Sequence, residues 1–87
     1  MFELILHRGA QKCYSKLDSK TASRINVAME TLRANPLSAK GITRLRGKLK
    51  GRYRLRAGDF RIIYRVDREE QLIIVEAIGS RGDIYKG

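Results

Sequence analysis

The stretch Tyr53-Arg54-Leu55-Arg56-Ala57-Gly58-Asp59-Phe60-Arg61-Ile62-Ile63-Tyr64-Arg65-Val66 decides the fold. Tyr53 to Arg56 alternates in side-chain character and so does Phe60 to Val66, while Ala57-Gly58-Asp59 between them has the composition of a turn. Two antiparallel strands are expected. Residues two apart in a strand share a face, so Arg54 and Arg56 point together while Tyr53 and Leu55 point the other way. On the next strand Phe60, Ile62, Tyr64 and Val66 share one face, and Arg61, Ile63 and Arg65 share the other.

Downstream, Asp67 to Glu70 makes a turn and Gln71 to Ile78 is apolar on both faces, as a strand covered on both sides is; Gly79 ends it and the tail from Ser80 is irregular. Upstream, Lys40 to Arg56 holds eight Lys or Arg among seventeen residues, with no acid and with glycines at 41, 47 and 51. Its glycines predict a loop leading into the strand. Before it, Ala22, Ile25, Ala28, Met29 and Leu32 keep helical spacing, capped by Asp18 or Ser19 and stopped at Asn35-Pro36. Ala10, Cys13, Tyr14 and Leu17 form the stripe of a shorter helix, and residues 2 to 7 alternate as a first strand with Phe2, Leu4 and Leu6 on one face. The expected fold is α+β: an N-terminal strand, a helical hairpin, then a three-stranded antiparallel meander, with the helices on one sheet face and the other face open. At 87 residues a single domain over 1–87 is expected.

Nineteen Lys and Arg against nine Asp and Glu give a net charge of +10, while 43% hydrophobic residues suffice for a core. This balance points to a polyanionic partner, nucleic acid or acidic protein. A membrane surface fits least, because the basic residues do not line one helix opposite an apolar face. Cys13 is the only cysteine, which excludes an internal disulfide and a cysteine-clustered zinc site. The longest apolar run is Leu72-Ile73-Ile74-Val75, too short for a membrane span or signal-peptide core. A soluble, cytoplasmic protein is expected.

If the helices cover the Phe60 face, Arg61 emerges beside Arg54 and Arg56. Arg81 and Tyr85 join them if the segment after Gly79 folds along the same sheet edge. A solvated strand face is the competing reading. The absence of any acid from Lys40 to Gly58 favours an anion site, since like charges at cross-strand distance repel unless an anion lies between them. Arginine donates two parallel hydrogen bonds to phosphate oxygens, and a tyrosine offers a stacking surface for a base. Arg44, Arg46, Lys48, Lys50 and Arg52 are the candidate contacts to a larger RNA or ribosome surface. His7 stands alone, the carboxylates are scattered, and no phosphate-binding glycine motif precedes a helix, so neither a metal nor a cofactor is expected. Catalysis would then act through cations that stabilise charge on a phosphate while an RNA 2′-hydroxyl attacks in line. Arginine is a poor base, so such a site gains from a larger assembly that holds the RNA in the attack geometry.

The stretch Tyr53 to Val66, the preceding Leu45-Arg46-Gly47 and the ending Gly79-Ser80-Arg81-Gly82-Asp83-Ile84-Tyr85 resemble the RelE/ParE toxin superfamily. The resemblance implies the toxin half of a type II toxin-antitoxin pair. RelE-type members cleave messenger RNA in the ribosomal A site, whereas ParE-type members inhibit DNA gyrase. By motif position, Arg54 and Arg56 stand where strand residues contact the phosphate and assist the 2′-hydroxyl. Arg61 stands where an arginine stabilises the transition state, Arg81 where one assists the leaving group, and Tyr85 where an aromatic stacks on the base. The best-known RelE-type pattern has lysines at the paired strand positions, and many relatives have a histidine or lysine where this chain has Ser80. The ending from Arg81 to Tyr85 points to the RNA-cleaving branch; a gyrase inhibitor and a non-catalytic basic module that binds RNA or an acidic partner are the alternatives. The implied partners are an acidic RelB-like antitoxin, messenger RNA in the ribosomal A site and, for the toxin-antitoxin complex only, operator DNA.

Overall fold

Strand alternation at both ends of the chain and helical periodicity between them produce the element order. The computed structural model describes residues 2–80. Strand β1 (Glu3–Leu6) leads into helices α1 (Arg8–Ser15) and α2 (Ser19–Ala34), followed by β2 (Ile42–Arg44), β3 (Tyr53–Ala57), β4 (Phe60–Asp67) and β5 (Leu72–Ser80). These strands form one sheet in the order β1-β5-β4-β3-β2. The run from β2 to β5 is antiparallel, and β1 lies parallel to β5 with Leu4 opposite Ile73 and Leu6 opposite Val75.

Each helix starts and stops where its sequence dictates. The Asp18 carboxylate accepts from the Thr21 backbone N–H at 2.8 Å, capping α2, and the hydrogen bonds from Thr21 hold this carboxyl below its ordinary range. Asn35 ends the helix because Pro36 disfavours helical backbone in the residue before it. The Pro36 carbonyl then accepts a 2.6 Å hydrogen bond from the hydroxyl of fully buried Tyr64, which ties the end of α2 to the central strand. Burial raises the Tyr64 phenol well above its ordinary value, with neighbouring Tyr53 adding to the shift.

One core lies between the helices and one face of the sheet. It joins Ala10 of α1 and Ile25 and Leu32 of α2 to Leu55, Ile62, Tyr64, Ile73, Val75 and Ile78. The other expected stripe residues, Cys13, Tyr14 and Leu17 of the α1 stripe and Ala28 and Met29 of α2, border the same cluster with Phe2, Leu4 and Leu6, while Ala22 is not part of it.

Three details differ from the sequence-based expectation. The antiparallel run has four strands, because the stretch read as loop contains β2 and a 3-10 turn over Gly47–Leu49. Three residues are too few for alternation to show; β2 forms because β3 offers it an unpaired edge, with Ile42 opposite Leu55. Strand β5 continues through Gly79 to Ser80, where the strand was expected to end at Gly79, since Phe60 at the start of β4 provides the pairing partner for Ser80. The face away from the helices is also not wholly open: Ile63 and Ile74 are only 3% and 7% exposed there.

Candidate nucleic-acid interface

The β3–β4 hairpin positions the arginines. Gly58 and Asp59 form a two-residue loop, and Gly58 takes φ +63°, the left-handed backbone that this tight connection requires at its first position. Ala57 then pairs with Phe60 and, one step along, Arg56 pairs directly with Arg61. Paired residues in an antiparallel ladder stand about 5 Å apart at Cα, so two guanidinium-bearing side chains leave the same sheet face together. Arg54 lies two residues further along that face, opposite Ile63, and its Nη2 donates to the Thr43 hydroxyl at 3.3 Å. The structure thus brings Arg54, Arg56 and Arg61 together as parity predicts.

Two neighbouring clefts share Arg56. One of about 250 Å³ is lined by Arg56, Gly58, Asp59 and Arg61. The other, about 240 Å³, is lined by Gly41, Ile42, Thr43, Arg54 and Arg56. The Arg61 Nε is buried and has no hydrogen-bond partner among the described residues. A buried N–H left in that state is costly unless an acceptor reaches it, and a phosphate oxygen entering the Arg56–Arg61 cleft is such an acceptor. Asp59 is the one carboxylate among the described residues that line either cleft.

The second basic group is arranged differently. Arg44 sits on β2, and Arg46, Lys48 and Lys50 are exposed on the connection to β3, outside the clefts. Arg52 folds back onto the sheet, where its Nε hydrogen-bonds Glu76 Oε1; Arg65 donates to the other carboxylate oxygen at 3.0 Å. Arg52 and Arg65 are therefore held by an acid that the sequence had left unremarked within an apolar strand. Glu76 shares this face with Ile74, two residues before it, and stands at a β-bulge: Ile63 pairs with Ala77 and Tyr64 with Val75, leaving Glu76 as the extra residue. Its only signal in the sequence is a single acid inside the run from Leu72 to Ile78.

His7 occupies the cap position of α1 without a side-chain cap bond, and Cys13 borders the core. No group of His, Cys, Asp and Glu suited to a metal ion occurs among the described residues. No helix among them is long and apolar enough to cross a membrane. Arg81 and Tyr85, the other two expected site residues, lie outside the described residues.

Comparison with known proteins adds a family to this geometry. A family model described as the ParE toxin of type II toxin-antitoxin systems matches residues 4–85. RelE1 of Methanocaldococcus jannaschii is 31% identical over 87 residues, an alignment spanning 98% of this chain and 96% of that protein. A chain in the crystal structure of the toxin-antitoxin complex RelBE2 from Mycobacterium tuberculosis superposes with a TM-score of 0.80 at 25% identity, over 92% of this chain and 98% of that one. The YoeB/ParE toxin from Agrobacterium tumefaciens shares the fold with a TM-score of 0.81 at 20% identity, over 92% and 99% of the two chains. Relatives bearing RelE and ParE names thus share one backbone.

Proposed function

From the premise that this chain belongs to the RelE/ParE family of type II toxin-antitoxin toxins, we propose that it is a RelE-type endoribonuclease that cleaves ribosome-bound messenger RNA without a metal. The Arg56–Arg61 cross-strand pair, lining a cleft with a buried Arg61 Nε that has no partner among the described residues, is the observation that carries this reading. In the proposed reaction the 2′-oxygen of the RNA attacks the adjacent phosphorus, the 5′-oxygen leaves, and a 2′,3′-cyclic phosphate and a 5′-hydroxyl result. Arg61 and Arg56 stabilise the charge that builds on the phosphoryl oxygens. Arg54 holds the phosphate and the approach of the 2′-hydroxyl, Arg81 assists the leaving oxygen and Tyr85 stacks on the base. Arg44, Arg46, Lys48 and Lys50 supply longer-range attraction to ribosomal RNA. With arginines in the place of a base, rate depends on geometry that the ribosome imposes on the message.

The net charge of +10 and the toxin-antitoxin complexes among the similar structures support an acidic, RelB-like antitoxin that covers the basic face. Operator DNA would be bound by that complex, and the toxin would act in the cytoplasm.

The family model carries the ParE description, which favours gyrase inhibition as a second reading. Following incorporation of labelled amino acid and labelled thymidine after induction of the toxin separates the two. Protein synthesis collapses first if the ribosome is the target; DNA synthesis collapsing first, with loss of supercoiling, replaces the proposal with the gyrase reading.

A further inference from the structure

Glu76 stands out on the basic face because it spends both carboxylate oxygens on arginines. Oε1 accepts from Arg52 Nε, and Oε2 accepts from Arg65 Nε at 3.0 Å and from Arg52 Nη2 at 3.5 Å. The three side chains come from β5, from the residue before β3 and from β4, so they form a row across the sheet. That row is parallel to the Arg56–Arg61 pair and, with Arg65 four residues from Arg61 along β4, about 13 Å from it. The carboxylate is the most covered of the three side chains, 23% exposed against 34% for Arg52 and 48% for Arg65. The bulge at Ile63/Tyr64 makes room for it as the unpaired extra residue and returns Ile78 to the core.

We infer that Glu76 is a specificity-determining residue that withholds Arg52 and Arg65 from RNA phosphates and confines strong RNA contact to the Arg54–Arg56–Arg61 end of the face. This deepens the RNA-directed reading and rests on it. Cations left exposed across the whole sheet would bind the backbone of any RNA, since phosphate contacts carry no sequence information. An internal carboxylate that holds both guanidiniums, and offsets one of their two charges, lowers that general affinity without touching the cleft. The toxin then engages RNA that is already held in place and ignores RNA in solution.

The test measures binding, with no need for turnover. A 2′-O-methyl uridine oligonucleotide, which lacks the attacking hydroxyl, is titrated with wild type and with Glu76→Gln across a range of salt by fluorescence anisotropy. Freeing two arginines should steepen the slope of log affinity against log salt by about 1.4, or about 0.7 per phosphate contact on a single strand. Raising salt from about 50 to about 200 mM then costs the variant about sevenfold more affinity than it costs wild type. Adding Arg52→Ala and Arg65→Ala to Glu76→Gln should return the slope to the wild-type value. An unchanged or shallower slope in Glu76→Gln, or a slope that stays steep in the triple variant, overturns the inference. If Glu76→Gln fails to fold, Arg52→Gln with Arg65→Gln in the presence of Glu76 serves instead: a wild-type slope supports the mask, and a slope shallower by about 1.4 contradicts it. Cleavage on ribosomes is scored separately. Its absence beside the expected slopes would refute the proposed nuclease and leave the mask standing.

Discussion

Arg61 and Arg56 face each other across the hairpin with their charges unrelieved by any carboxylate within ion-pair distance among the described residues, whereas Arg65, four residues along the same strand, has Glu76. Position alone thus separates arginines of identical chemistry into one pair without a carboxylate among the described residues and one pair that shares Glu76. Replacing Arg61 or Arg56 by alanine should lower cleavage by about 10² to 10³, as loss of one charge-stabilising donor does elsewhere. The far-ultraviolet circular dichroism and melting temperature should hold, because neither side chain belongs to the core. Single-turnover rates on ribosome-bound message provide the check, and undiminished rates in both variants would remove these residues from the mechanism.

Tyr64 belongs to the same scale but to stability. Its hydroxyl is the donor to the Pro36 carbonyl inside the core, so Tyr64→Phe leaves a buried acceptor unsatisfied and should cost about 1–3 kcal/mol in denaturant unfolding. The phenol is raised in the folded state, so the folded chain holds this proton more tightly than the unfolded chain does. The contribution is complete below the ordinary value of 10.0 and is lost as pH rises above it. A pH titration of unfolding free energy should fall on that alkaline side in wild type and less steeply in Tyr64→Phe; parallel curves would contradict the assignment.

At the scale of elements, α2 and the β3–β4 hairpin decide whether the face is assembled. Asp18 is lowered in the folded state, so its cap stabilises above the ordinary value of 3.8 and the contribution is lost as pH falls through the folded value. Asp18→Ala should lower the melting temperature at neutral pH and have little effect in strong acid, which a pair of thermal scans would read. Gly58→Ala puts a side chain at φ +63°, where the nearest atom to the new Cβ, Arg24 Nη1 at 3.5 Å, leaves room. The cost is therefore backbone strain of about 1–2 kcal/mol, not a clash.

These elements also show how far sequence reading reaches. The hairpin was legible because a glycine turn separates two alternating runs, and parity then placed Arg54, Arg56 and Arg61 on one face. Helix α2 was legible from its cap, stripe and proline stop. Strand β2 was not, because three residues carry no usable period and the strand exists only through its pairing with β3. The role of Glu76 was not, because its partners Arg52 and Arg65 reach it only through the pairing of three segments, and nothing local says that Ile63 skips to Ala77. The parallel pairing of β1 with β5 joins the two ends of the described chain and is invisible to any window of sequence.

At the scale of the molecule, a charge of +10 on 87 residues repels itself, and the repulsion is screened by salt. Raising salt from about 10 mM to about 150 mM shortens the screening length from about 30 Å to about 8 Å, so the melting temperature should rise over this range. A melting temperature that falls would mean that favourable pairs outweigh repulsion. The proposed acidic antitoxin would be a stabilising ligand, since whatever binds only the folded state shifts folding toward it. If the proposed antitoxin is acidic, co-expression with it should yield a complex that separates only at high salt or in denaturant.

Mapping new RNA 5′ ends on a defined message incubated with the purified protein, with and without translating ribosomes and beside Arg61→Ala, tests the central claim most directly. The account predicts 5′-hydroxyl ends in register with the reading frame, present only with ribosomes, insensitive to chelator and lost in the variant. Absence of cleavage under both conditions, or cleavage that Arg61→Ala leaves intact, would contradict it.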